Sequence, residues 1–154
     1  MTPEDLKAVQ DVLMKEKVNI LNTRAFKQND GEILITVGSI EHSTRKVEHQ
    51  GRTFEIRFGE FSSYLKDVNY YLERALEYCA NDTQKDMIRL YIDHFRTGSI
   101  DVHKDSQRKW IADKGPVVET NMGWIETYID PENVRAYYEG WVAIVDKELS
   151  KKFK

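Results

Sequence analysis

Residues 117 to 128 read Val-Val-Glu-Thr-Asn-Met-Gly-Trp-Ile-Glu-Thr-Tyr, and their β-branched and aromatic content favours a strand over a helix. Lys114-Gly115-Pro116 punctuates the chain before this run, and Asp130-Pro131 ends it. Strand alternation then puts Glu119, Asn121 and Gly123 on one face and Val118, Met122 and Trp124 on the other. The first face is polar. Its carboxylate and carboxamide stand about 7 Å apart, beside a glycine that lets another backbone come close. Such a row suits an extended peptide lying alongside, with Glu119 taking its N-terminal ammonium. It equally suits an ordinary solvent-facing strand side, and residue chemistry alone favours that plainer account.

Downstream, Tyr137 to Val145 fits either a helical stripe or a strand. Gly140 and the Trp-Val-Ala-Ile-Val run favour the strand, with a helix starting at 146 and running into Lys151-Lys152-Phe153-Lys154. Upstream, apolar residues recur every three or four positions and predict helices over 61–80, 83–97 and 99–112. Asn81 or Asp82 caps the second of these, Gly98 ends it, and Ser99 caps the third. The third presents Ile100, His103, Gln107 and Trp110/Ile111 on one side.

At the start, Thr2, Pro3 and Asp5 precede Leu6, Val9 and Leu13 and predict a helix over 3–16. Segments 20–27 and 32–37 flank Asn29-Asp30-Gly31 and read as a hairpin. Residues 39–50 are polar and read as a loop with at most a short strand at 45–48. Strict alternation in 52–58 sets Phe54, Ile56 and Phe58 on one face of a half-buried strand. The fold class expected is α+β: an antiparallel β-core of 20–27, 32–37, 52–58, 117–128 and 137–145 with several packed helices. Phe54, Phe58, Leu72, Tyr91, Phe95 and Trp110 are the expected buried set.

The 154 residues fit one domain with a sizeable core, and 40% hydrophobic with 32% charged residues is a globular composition. No apolar run approaches the ~18 residues of a membrane span. The acidic start Met-Thr-Pro-Glu-Asp-Leu-Lys lacks the features of a secretory signal, and a single cysteine forms no internal disulfide. The expected localisation is cytoplasmic. A net charge of -3 leaves no electrostatic footprint for nucleic acid. Lys104, Arg108, Lys109 and Trp110 mix basic and aromatic residues, but Asp101, Asp105 and Asp113 interleave them, which marks a solvated helix face.

His42, His49, His94 and His103 show no ligand pair at three to five residues, so no metal site is expected in this chain. His94 and His103 can meet across neighbouring helices, as packed histidines commonly do. Cys79 falls on an apolar helix side and reads as an inert core thiol. Glu126 is placed on the strand face opposite Glu119, and for it and Glu139 structural hydrogen bonding is the expected role.

The stretch from Gly98 to Phe153 closely resembles the dipeptidyl peptidase III family of zinc exopeptidases. The matching order is Lys114-Gly115-Pro116-Val117-Val118-Glu119, then Ile125-Glu126-Thr127-Tyr128, then Glu139-Gly140-Trp141-Val142-Ala143. A weaker likeness lies at Leu21 to Lys27. The family's His-Glu-x-x-x-His and Glu-Glu-Cys-x-x-Glu motifs are not in these residues. The resemblance implies a single-domain fragment, 1–154, of the substrate-binding, non-zinc lobe of a two-lobed peptidase that removes dipeptides from the N-termini of short peptides. Its partners would be short peptides and the remaining zinc-bearing lobe, with neither nucleic acid nor membrane. Zinc would serve the complete enzyme, with no cofactor held by this chain, which alone would be inactive. Glu119 stands where the family anchors the peptide's amino terminus. Asn121 stands where many members carry a substrate-contacting tyrosine. The alternative is a free-standing, non-catalytic peptide-binding or structural module with the same fold.

Overall fold

Helix α1 (Pro3–Lys15) opens on a reciprocal cap: the Thr2 hydroxyl accepts the Asp5 N–H while the Asp5 carboxylate accepts the Thr2 N–H. The computed structural model describes residues 1–153. The buried stripe of α1 (Ala8, Val9, Val12, Leu13) lies on a sheet of β1 (Thr23–Lys27), β2 (Ile33–Gly38), β3 (Ser43–His49) and β4 (Arg52–Glu60), in the order β1-β2-β4-β3. Alternation sends Ile33, Ile35 and Val37 of β2, and Phe54 and Ile56 of β4, to the helix side, where all are buried. Each such side chain contributes roughly 1.5–3 kcal/mol. Asp5 also reaches Lys27 and Arg52, which ties the start of the helix to two strands.

In the strands, several details depart from the sequence expectation. β1 begins at Thr23 rather than 20, because the Asn19 side chain accepts the Leu21 N–H and bends the approach into a turn. Residues expected as mostly loop form the full strand β3, paired with β4 from Ser43↔Phe58 to His49↔Arg52. That strand is polar and exposed, so no apolar alternation announces it. Finally, the strands divide into two sheets, and β2 runs parallel to β4, since the chain steps over the end of β4 between β2 and β3. The other strand pairs, β1–β2, β3–β4 and one in the second sheet, are antiparallel, and the fold is α+β.

Helix α2 (Ser62–Ala75) runs on into a 3-10 turn, Leu76–Tyr78, and is followed by α3 (Asp82–Thr97) and α4 (Ile100–Ala112). Asn81 and Ser99 cap α3 and α4 through the N–H groups of Gln84 and Val102, and Gly98 ends α3 at φ 77°. Leu65, Leu72, Met87, Ile88, Tyr91 and Phe95 build a second core around Trp124. Of the expected buried set, Phe58 and Trp110 are only half-buried, and Ile111 beside Trp110 is exposed. Asn22 joins the two cores: its side-chain amide donates to the carbonyls of both Gly38 and Gly98.

The second sheet is the hairpin of β5 (Val118–Trp124) and β6 (Tyr138–Ile144), registered from Val118↔Ile144 to Trp124↔Tyr138. β5 is shorter than the expected 117–128. Helix α5 (Lys147–Lys151) follows, capped by Asp146; the end of the helix expected to reach Lys154 lies outside the described residues. Among the described residues no helix is long and apolar enough to cross a membrane.

Candidate functional site

The helical repeat of α4 and the alternation of β5 have nearly equal spacing. Residues four apart on a helix rise about 6 Å, and residues two apart on a strand advance about 6.8 Å. His103, Gln107 and Trp110 of α4 accordingly meet Gly123, Asn121 and Glu119 of β5, one for one. The Trp110 indole N–H donates to Glu119 Oε1. Asn121 Nδ2 donates to Gln107 Oε1 at 3.2 Å, and Asn121 Oδ1 accepts from the Tyr91 hydroxyl at 3.4 Å. Gln107 Nε2 closes the ring by donating to the Tyr91 oxygen at 2.9 Å. At Gly123, φ 145°, an added Cβ would stand 2.8 Å from the His103 ring.

Glu119 and Asn121 therefore share one face, as alternation predicts. That face is not open along its length, because α4 lies against it. Both residues are half-buried, and Glu119 Oε2 has no partner among the described residues. The free backbone edge of β5 is met at its start, where Gln84 of α3 donates to the Val118 carbonyl at 3.2 Å. The partners Trp110, Gln107 and Tyr91 were not assigned to the site from sequence. Their signal was present in the polar His103-Gln107 pair on the inward side of α4.

Glu126 does not sit on the opposite strand face. β5 ends at Trp124, which leaves Glu126 exposed, and its backbone carbonyl, not its carboxylate, makes the contact, accepting the Tyr137 N–H at 3.1 Å.

His94 and His103 do meet, with ring centroids 4.9 Å apart. Burial, then the neighbouring His103, pulls the His94 imidazole down to about 3, while its Nδ1 lies 2.8 Å from the Ser99 carbonyl. Burial and Lys104 lower His103 too. Asp93 is paired with Arg96 and Asp101 with Lys104, so no carboxylate joins the pair. Among the described residues no three His, Cys, Asp or Glu side chains come together in a way that could hold a metal ion. Burial raises the Cys79 thiol above its ordinary range despite Lys85 and Arg89, which disfavours a reactive thiolate.

Comparison with known proteins gives the family of the chain. The model of peptidase family M49 matches residues 1–154. Dipeptidyl peptidase 3 of Dictyostelium discoideum is 43% identical over 155 residues, covering 99% of this chain and 22% of that protein. The human dipeptidyl peptidase 3 is 38% identical over 168 residues, covering 99% of this chain and 23% of its own length. The chain thus spans less than a quarter of these relatives. Among solved structures, dipeptidyl-peptidase III from Corallococcus sp. strain EGB superposes over 99% of the chain and 25% of its own, with TM-score 0.68 at 18% identity. That likeness concerns the fold alone.

Proposed function

The chain belongs to peptidase family M49, and from that premise we propose that it supplies part of the peptide-binding surface of a dipeptidyl peptidase, with Glu119 as anchor for the substrate's free amino terminus. The carrying observation is the half-used carboxylate. Trp110 holds Oε1 and so orients the group, while Oε2 keeps its lone pairs for an incoming ammonium. Such a charge-assisted hydrogen bond contributes roughly 1.5–3 kcal/mol. Asn121, two residues along the same row, is tied to Gln107 and Tyr91 and stiffens the strand that presents Glu119. Its contact with substrate would be made through that network.

The reaction itself belongs to the remainder of the polypeptide. Zinc, by lowering the pKa of bound water, would supply the nucleophile there. The described residues do not fit a zinc site, since their close histidine pair, His94 and His103, is buried and lacks a carboxylate. The two parts together would cut dipeptides from short peptides in a cytoplasmic setting.

The test is Glu119→Gln in the full-length parent enzyme. Glutamine keeps the shape and removes the charge. Peptides with a free amino terminus should bind about tenfold or more weakly, while N-acetylated peptides, already poor ligands, should change little. Equal losses for both kinds of peptide would refute the ammonium anchor.

A further inference from the structure

His94 and His103 are 0% and 6% exposed, and their rings lie 4.9 Å apart. Neither ring is fully satisfied: His94 Nε2 and His103 Nδ1 are buried and have no hydrogen-bond partner among the described residues. His94 Nδ1 lies 2.8 Å from the Ser99 carbonyl, so the hydrogen sits on Nδ1 and Nε2 is left as a bare acceptor. A neutral pair tolerates this. An imidazolium carries a donor on both nitrogens, so a proton taken up here leaves a buried charge with an N–H that has nothing to bond.

Among the described residues no neighbouring element supplies a counter-charge. On α3, Tyr91 packs on His103 and burial holds its hydroxyl above the ordinary range, while Asp93 is paired with Arg96, which also reaches Glu41. On α4, the charge next to His103 is the cation Lys104, itself paired with Asp101. β5 presents Trp124 and Gly123, both uncharged. On β6, burial raises Tyr138, and Glu139, opposite Gly123 in the ladder, has the Tyr137 hydroxyl as its neighbour.

The pair also stands where α4 has no slack. The His103 ring fills the space in which a Cβ at Gly123 would lie, so it cannot move toward β5. Phe95 and Trp124 pack on His94 from α3 and β5. The two rings part only if α4 itself moves outward. Gln107 and Trp110 then travel with it, since they lie one and two turns further along the same helix.

We propose that His94 and His103 form an acid-operated latch: when the pair takes up a proton, α4 lifts from β5 and Trp110 leaves Glu119, while the first core stays folded. That core, under α1, contains neither histidine. As regulation of the peptide anchor the latch rests on the role proposed for Glu119; as a movement of α4 it does not.

Amide exchange in the full-length parent, expressed as protection relative to unstructured peptides at the same pH, tests it. Between pH 6.5 and 5.0 protection over residues 100–112 should fall at least about tenfold, because an opening that takes up one proton becomes easier by up to about tenfold per pH unit below 6.5. Protection over residues 3–15 and 33–37 should change less than about twofold. An equal fall in both regions is global acid unfolding and overturns the latch, and so does the absence of any fall. The double variant His94→Asn, His103→Gln should flatten the response to less than about twofold. If that variant is unfolded at pH 7.5, His94→Asn alone, which can still donate to the Ser99 carbonyl, should reduce the fall at least about threefold. A fall that survives these substitutions assigns the titration to another group and overturns the proposal. Glu119→Gln should leave the response of residues 100–112 unchanged while weakening only peptides with a free amino terminus, so failure of the latch and failure of the anchor are read separately. A response lost in Glu119→Gln would assign the titration to that carboxylate and overturn the latch.

Discussion

Neutral His94 makes the stability of this chain depend on pH well above the carboxylate range. Its folded-state value of about 3 lies below the ordinary 6.5, so the unfolded chain binds the extra proton first. The contribution is fully present above about 6.5 and is lost as pH falls toward 3, with a slope of up to ~1.4 kcal/mol per pH unit. Asp5, held low by the Thr2 N–H and then by Lys27 and Arg52, acts with the same sign but below its ordinary 3.8. The melting temperature should therefore already decline between pH 6.5 and 4.5, before Asp5 takes part. His94→Asn, which can still donate to the Ser99 carbonyl, should flatten that decline in thermal melts across the range. An unchanged slope would mean that His94 is not the titrating group. The sequence puts His94 and His103 on neighbouring helices, where they can meet, yet the burial of His94 depends on Phe95 and Trp124, which arrive from two different elements.

At the scale of elements, the site rests on the fit between β5 and α4. Gly123 is where that fit is tightest, with His103 in the space a side chain would need. Gly123→Ala should push the strand from the helix and loosen the Trp110 to Glu119 hydrogen bond at the far end of the same row. We expect a loss of about 1–3 kcal/mol in denaturant melts. Trp110 fluorescence should become more solvent-like even before the unfolding transition. If stability and emission both stay at wild-type values, the row does not transmit the change. The capped, amphipathic helices were readable from their sequences because Thr2, Asn81 and Ser99 each act on the N–H group three residues on. β3 was not readable in this way, because its partner strand and not its own side chains makes it a strand.

At the scale of the whole molecule, two cores meet along Asn22, Gly38 and Gly98, and the second is covered by a sheet with an open edge. Elemental analysis of the 154-residue chain after extensive dialysis should find less than about one zinc per ten chains, given the separation of its ligand-type side chains. One tightly held zinc per chain would overturn the division of labour proposed above. The alternation in Val118 to Trp124 was sufficient, by itself, to put Glu119 and Asn121 on one face, because side-chain direction in a strand follows from the chain's own geometry. The α+β class was legible for the same reason, since helical and strand periodicities are local properties of the sequence. Only the tertiary structure decided that β2 and β4 run parallel, that α4 covers the Glu119 row, that Trp110 occupies one carboxylate oxygen and that no described residue pairs with the outer edge of β6. Each of these is a relation between segments far apart in the chain, set by which surfaces remain to be buried once the local elements have formed.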